Sequence, residues 1–488
     1  MILAYAVADV RAVEAALMER LPEGELMARA ANGLAEVVRA RLAERGGHRV
    51  VALVGGGNNG GDALYAAALL AQAGFAVGAV CTAYGSVHPG GRDAALAAGV
   101  VVTGGDGPDW EAVLAEADLV VDGITGIGGR PGLGVEAQGW VGAIPETAYV
   151  VAVDLPSGLD PAGLEGTAEC VFADETVTFG VAKPCHLLPA TEAAAGRLTV
   201  VDIGLDFAGC TPVVERLLGA DVAAAWPVPT AASDKYSRGV VGVVAGSAAY
   251  PGAGVLCVLG ALGTGPGMVR YLGPTSVAAL VHGHAPEAVT ATGRVQAWVL
   301  GSGVDPEDTD DEDQLRWIRQ ALDSDLPCVV DAGALALLGP RSAPTLITPH
   351  AGELARLLTR LAVAGEAEVT REDVLGRPID HAQAAADALG AVVLLKGATT
   401  LVVSPTAAGR AIRSQADAPP WLATAGAGDV LAGILGTLVA AGLDLVNAAS
   451  VGAFVHGVAA DRANPGGPVR ALAVARKVPG VVAAVLTA

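Results

Sequence analysis

Two tandem α/β domains, each wound on a sheet of short parallel strands, are what this sequence predicts. Three observations support that prediction. At 488 residues the chain exceeds what one hydrophobic core normally holds. Short apolar runs recur, each ending in a polar or glycine-rich loop and followed by an Ala/Leu-rich segment; this is the pattern of strands buried on both faces and alternating with helices. The alternation weakens between about 205 and 238, where Gly209, Pro212, Pro227 and Pro229 precede a fresh strand at Val240. A domain boundary is expected near 215–230, giving domains over 1–215 and 225–488.

In order, residues 9–45 mix acids, arginines and apolar positions at helical spacing and are expected to be helix. Arg49–Val54 reads as the first strand, followed by a Gly/Asn turn and a helix from Ala63 to Gly74. Strands are then expected at Ala76–Val80, Ala117–Asp122 and Ala148–Val153. After the boundary, strands are expected from Val240, at Pro327–Asp331, around Leu346 and at Val392–Lys396. In doubly wound sheets, chemistry gathers at the C-terminal ends of such strands.

Composition excludes several classes. A formal net charge of −21 and no basic run argue against nucleic-acid binding, since little would neutralise phosphates. Six cysteines without a C-x-x-C pair read as reduced, buried thiols rather than a disulfide framework or zinc site. Val240–Val269 carries no charge, but its eight glycines and two prolines suit a strand, turn and packed helix better than a membrane span. The N-terminus lacks the basic region of a signal peptide, so a cytosolic protein is expected.

Two constellations carry chemistry. In the first half, Gly55-Gly-Gly-Asn-Asn-Gly-Gly-Asp62 follows a strand and opens a helix, where glycine permits close ligand approach and free amides face an anion. The spacing is not G-x-G-x-x-G, and the two Asn and one Asp add donors and acceptors that a plain anion loop would not need. Taken alone, the segment is also readable as a tight turn with Asp62 capping the helix. Asp122 precedes the glycine-rich loop Gly123–Gly132; Asp154 opens Leu-Pro-Ser-Gly158; Thr176–Gly180 precedes Lys183. Adjacent parallel strands would bring these loops together.

Asn58–Asp62, Gly126–Gly132 and Asp154–Gly158, with Glu25-Leu-Met-Ala-Arg-Ala-Ala31 upstream, resemble the signature loops of the NAD(P)H-hydrate epimerases, whose domain is a Rossmann-like doubly wound sheet. The resemblance implies that Asn58, Asn59, Gly60, Gly61 and Asp62 hold the hydrated dinucleotide together with Gly126, Ile127, Gly128, Gly129, Arg130, Pro131 and Gly132. It also places Asp154 against the hydrated nicotinamide and potassium among Asn59, Asp122 and Ser157. Epimerisation at a carbinolamine carbon requires a proton acceptor and donor. Asp154 is expected in that role, supported by Lys183. Pro184-Cys185-His186 stands where relatives usually have a glycine.

In the second half, Gly426-Ala-Gly-Asp429 opens an apolar helix, so its amides can face a phosphate while the acid takes a hydroxyl proton. With Lys235–Gly239, Thr348-Pro-His-Ala-Gly-Glu353 and Lys396–Thr400, residues 230–488 resemble the ribokinase-like fold and, more narrowly, the ADP- or ATP-dependent NAD(P)H-hydrate dehydratases. The resemblance implies substrate contacts at Ala253, Gly303, His350 and Asp429, with Asp429 the catalytic base. Nucleotide contacts are implied at Lys396, Gly397, Ala398, Thr399, Thr400 and Gly428, with Mg²⁺ neutralising phosphates. The motifs do not decide ADP against ATP. Three positions depart from relatives: Gly333 replaces an acid, the helix around Gly263 lacks an arginine, and Pro419-Pro420 replaces a glycine-rich lead-in.

The reading is therefore a bifunctional repair enzyme acting on small molecules, with no nucleic-acid or membrane partner and a fold compatible with a homo-oligomer. Its rivals are a ribokinase-class kinase with an N-terminal ligand-binding regulator, and a non-enzymatic scaffold with a degenerate second half.

Overall fold

The computed structural model describes residues 1–82, 86–105, 109–307, 312–363, 365 and 368–487. The chain divides into two compact units, Leu3–Val214 and Glu215–Ala488, the second also taking Met1 and Ile2.

In the N-terminal unit, seven strands form one parallel sheet: β1 (Arg49–Val54), β2 (Ala76–Cys81), β3 (Val101–Gly104), β4 (Leu119–Gly123), β5 (Tyr149–Val153), β6 (Glu175–Phe179) and β7 (Arg197–Val201). Their order is β3-β2-β1-β4-β5-β6-β7. Strand order reverses between β1 and β4, the point where doubly wound sheets open a crevice at their C-terminal ends. The central strands are mostly apolar because helices cover both faces; Ala52, Leu53, Val54, Val120 and Val121 are buried.

The N-terminal helix is not continuous. Val7–Met18 (α1) and Glu25–Arg45 (α2) are separated by Glu19–Gly24, where Gly24 adopts φ +80° two residues after Pro22. Proline and a left-handed glycine together break what the residue periodicity alone reads as a single helix. A second correction concerns the Asn-rich segment. Helix α3 (Asn58–Gln72) begins at Asn58, so Asn58–Asp62 is its first turn, and Asp62 makes no cap.

Eight strands of the second unit's sheet lie between Val240 and Gln415: β8 (Val240–Val244), β9 (Met268–Tyr271), β10 (Ala297–Leu300), β11 (Cys328–Val330), β12 (Thr345–Ile347), β13 (Val392–Leu395), β14 (Thr400–Val403) and β15 (Ile412–Gln415). They run in the order β15-β14-β13-β12-β11-β10-β8-β9, parallel from β9 to β13 and antiparallel beyond. The charge-free stretch resolves into β8, helix α4 (Pro251–Thr264) and β9; among the described residues no helix is long and apolar enough to cross a membrane.

Its glycines serve close packing. Helix α5 (Ala427–Ala440) packs against both α4 and the sheet. A Cβ at Gly260 would stand 2.3 Å from the Val430 carbonyl oxygen, and one at Gly433 would stand 2.0 Å from that of Cys257. On the sheet side, a Cβ at Gly436 would meet Val299 Cγ2 at 2.0 Å. Backbone-to-backbone contact of this kind leaves room for no side chain.

All cysteines among the described residues are free, and five are buried; Cys210 is only half-buried.

Candidate active sites

In the N-terminal unit a cavity of about 680 Å³ opens at the β1/β4 switch point. It is lined by Gly56–Asn59 and Asp62, by Ile124–Gly129, by Asp154, and by side chains of α1 and α2. The close approach explains the glycines. A Cβ on Gly55 would sit 1.8 Å from the Ile124 carbonyl oxygen, and one on Gly60 would sit 2.1 Å from that of Gly55. Gly60 and Gly61 are buried beneath the cavity wall. Of the second loop, Gly126–Gly129 line the cavity while Arg130 and Pro131 are exposed. Gly132 ties this loop to the next through its N–H, which donates to the Gly158 carbonyl at 2.9 Å.

Asp154 follows β5 in the left-handed region, φ 66°, a strained conformation for a residue with a side chain. Its backbone N–H donates to Val177 O at 2.7 Å. Fully buried Lys183 donates from Nζ to Asp154 Oδ1 at 2.5 Å and to Thr178 Oγ1 at 2.8 Å. Thr178 in turn donates to Asp154 Oδ1 at 3.0 Å. Burial alone would raise the Asp154 carboxyl, but the Lys183 ammonium and these hydrogen bonds hold it below the usual carboxylate range.

His186 completes the support. Its Nδ1 accepts the Lys183 N–H at 3.0 Å, which places the ring proton on Nε2, 2.9 Å from the Asp154 carbonyl oxygen. Burial and the Lys183 charge bring its pKa down to about 4, so the ring is neutral at pH 7. The unusual Pro-Cys-His segment is thus a short 3₁₀ turn that positions Asp154.

Around this ionised acid stand two carboxyls pushed the other way. Asp62 lies well above the ordinary range, through burial and then the charges of Asp154 and Glu14. Glu14 of α1 is also raised, chiefly by burial. Sequence reading did not single out Glu14, and it gave Thr178 and His186, inside segments it named, no role.

Below the cavity, buried Asp122 accepts from Ser157 N at 2.8 Å and from Ser157 Oγ at 2.6 Å, and Ser157 Oγ accepts the Thr125 N–H at 2.8 Å. Burial raises Asp122 to about 6 despite these bonds. Asn59 lies beside this group: its Oδ1 is 2.9 Å from where a Gly126 Cβ would be, and its Nδ2 is buried without a hydrogen-bond partner. Among the described residues no three His, Cys, Asp or Glu side chains converge as a metal site.

In the second unit Gly303, Asp331, His350 and Lys396 follow the C-terminal ends of successive parallel strands. Gly303 (φ 65°), after β10, abuts Ala253 at the start of α4; a Cβ at Gly303 would stand 2.4 Å from that of Ala253. Asp331, after β11, accepts from Ser302 Oγ at 2.9 Å, Thr348 Oγ1 at 2.8 Å and Lys396 Nζ at 2.9 Å. Lys396 also pairs with Glu353 at 3.6 Å. His350, after β12, caps the helix Ala351–Arg360, its Nδ1 accepting the Gly352 and Glu353 N–H groups; it bridges Lys396 along the backbone.

The N-terminus of α5 meets this cluster, for Lys396 Nζ is 3.4 Å from the position of a Gly428 Cβ. Asp429, in the first turn of α5, is raised to about 7 by burial and then by the Asp331 charge. Of the Lys396–Thr400 segment, Thr399 is buried and Thr400 opens β14, while Gly397 and Ala398 form the intervening turn.

The three departures separate. Gly333 lies where a Cβ would stand 2.0 Å from the Val304 carbonyl oxygen, so the loop after β10 occupies the space of an acidic side chain. Gly263 faces Ala475, Val478 and Pro479 of the C-terminal helix. Pro419-Pro420 leads into a single 3₁₀ turn before Thr424.

A sequence profile described as NAD(P)H-hydrate dehydratase matches residues 241–474, and one described as YjeF-related protein N-terminus matches residues 23–185. The bifunctional NAD(P)H-hydrate repair enzyme Nnr of Mycobacterium leprae is 43% identical over 95% of this chain and 94% of its own length. The Nnr of Mycobacterium tuberculosis (strain CDC 1551 / Oshkosh) is 44% identical over 91% of each chain. An NAD(P)H-hydrate epimerase of Clavibacter michiganensis is 44% identical over 43% of this chain and 94% of its own. A solved ADP/ATP-dependent NAD(P)H-hydrate dehydratase of Bacillus subtilis is similar at TM-score 0.49 and 24% identity, covering 56% of this chain and 99% of that one. With relatives this similar over nearly the whole chain, the protein belongs to the bifunctional NAD(P)H-hydrate repair enzymes, carrying an epimerase and a dehydratase activity.

Proposed function

We propose that the cavity beside Asp154 interconverts the R and S forms of hydrated NADH and NADPH, and that the cluster around Asp429 dehydrates the S form at the expense of ADP. The corresponding domains would span 1–215 and 225–488, and the enzyme would work on cytosolic metabolites. The observation that carries this reading is the opposite treatment of the two acids. Asp154 is held ionised by its own buried ammonium, whereas Asp429 has its pKa near 7 and lies at a helix start beside Lys396.

Asp154 would exchange protons at the hydrated nicotinamide carbon, kept in place by Lys183, Thr178 and His186. Asn58–Asp62 and Gly126–Gly132 would hold the dinucleotide, their glycines allowing close backbone approach. Asn59, Asp122 and Ser157 would hold potassium: they offer hard oxygen donors, and Asp122 and Ser157 are held together by hydrogen bonds. A bound potassium ion would supply positive charge that keeps Asp122 ionised and its loop ordered.

In the second unit, Ala253, Gly303 and His350 would contact the hydrated substrate, and Lys396–Thr400 with Gly428 the nucleotide. Asp429 would accept the proton of the substrate hydroxyl as it attacks the terminal phosphoryl group; phosphate then departs and the ring double bond re-forms. Mg²⁺ bound with the nucleotide would neutralise phosphate charge.

Absorbance recovery at the reduced-nicotinamide band tests the reading, using mixed-epimer NADH hydrate with ADP, ATP or neither. Full recovery that requires ADP supports it. A stable phosphorylated product would instead favour the kinase reading.

A further inference from the structure

Helix α1 brings a third carboxyl to the epimerase cavity. Arg11 and Glu14 are one helical turn apart and share a face, and both line the cavity with Asp62 and Asp154. Arg11 Nη2 donates to the Ile127 carbonyl at 3.0 Å, which pins α1 over the glycine loop. Glu14 therefore enters from a different element than Asp154, which stands at the end of β5. The charged groups acting on Glu14 are Arg11 from its own helix, Asp154 and its partner Lys183; Glu14 in turn acts on Asp62 of α3.

We propose that Glu14 is a second catalytic residue of the epimerase, donating a proton to the departing hydroxyl while Asp154 receives one from the water that returns. The inference rests on Asp154 serving that site as proposed above. In one direction, the Glu14 carboxyl protonates the hydroxyl oxygen, and the C–O bond breaks with its electron pair leaving on water. The ring-nitrogen lone pair then forms C=N⁺. Water adds to the opposite face, the π pair returns to nitrogen, and Asp154 takes the water's proton. One proton has moved from Glu14 to Asp154, and it passes back between the carboxyls before the next turnover; the reverse reaction exchanges the roles. The electrostatics favour this division in direction: burial raises the Glu14 carboxyl, while Lys183 and the hydrogen bonds around it lower Asp154.

The test uses the full-length protein and single-epimer NADH hydrate without nucleotide, following the appearance of the other epimer by chromatography. Glu14→Gln should lower kcat at least 100-fold with KM within threefold, and remove the fall in rate at high pH that deprotonation of an acid causes. Glu14→Asp should restore a substantial part of kcat. ADP-dependent dehydration of the purified S form should stay within twofold of wild type, which reports an intact fold. Asp154→Asn is run alongside. If it abolishes epimerisation while Glu14→Gln retains kcat within threefold, or loses rate with an unchanged pH profile, the Glu14 inference is overturned and the role of Asp154 stands. If Asp154→Asn is itself silent, both fall.

Discussion

The two sites use the same pair of residue types, aspartate and lysine, in opposite ways. In the N-terminal unit, Lys183 is dedicated to Asp154: it is fully buried, makes its closest contact with that carboxylate, and keeps it charged. In the second unit, Lys396 is divided between Asp331 and Glu353, and it lowers Asp429 less than burial and Asp331 raise it. The difference shows that proximity to a lysine does not fix an acid's charge state. What counts is burial first and then the neighbouring carboxylates, which together raise Asp429 to about 7, a value suited to general-base work.

The largest expected effect comes from removing the proposed base. Asp429→Asn should lower dehydration by about 10²–10⁴-fold, the usual contribution of a positioned general base, and leave epimerisation within twofold. Assays of each step with purified epimers measure both. Next is the dedicated lysine. Lys183→Met leaves the Asp154 charge buried and uncompensated, which should destabilise the N-terminal unit by about 3–5 kcal/mol in urea unfolding. Lys396→Met should be milder, because Lys396 is partly exposed and its partners keep the Ser302 and Thr348 hydroxyls.

The pH profiles should separate in the same sense. Asp429 must be ionised to act, so dehydration should decline about tenfold per unit as pH falls below about 7. Asp154 is depressed, so the acid limb of epimerisation should lie below the ordinary carboxylate range. Coincident acid limbs would break the comparison. Smallest is Gly303→Ala, which sets a left-handed residue against Ala253 and should cost about 1–3 kcal/mol while raising KM for dehydration alone.

The fold class was legible because strands buried on both faces read as unbroken apolar runs, as in Val50–Val54 and Val240–Val244. Glycine-rich loops were legible as places of close approach, and the structure gives the contacts that require them at Gly55 and Gly60. Turns were harder. Pro22 and Gly24 break a helix whose apolar periodicity continues across them, and Asn58 begins a helix although Asn and Gly favour loops. Least legible were charge relations between distant segments. Nothing local marks Glu14 as facing Asp154, or Asp331 and Glu353 as sharing Lys396, because those relations exist only once strand order is set. His186 is a lone histidine in sequence; its role follows from two hydrogen bonds made across 32 residues and across three.

The central claim is that two acids in opposite charge environments each run one step, and crossing their variants against single epimers tests it directly. Wild type, Asp154→Asn and Asp429→Asn would each be given pure R or pure S NADH hydrate with ADP. The account predicts that Asp154→Asn restores NADH from S alone and leaves R untouched. It predicts that Asp429→Asn restores NADH from neither, while still converting R into the R/S mixture. Loss of both steps in either variant, or recovery from R in Asp154→Asn at the wild-type rate, would contradict it.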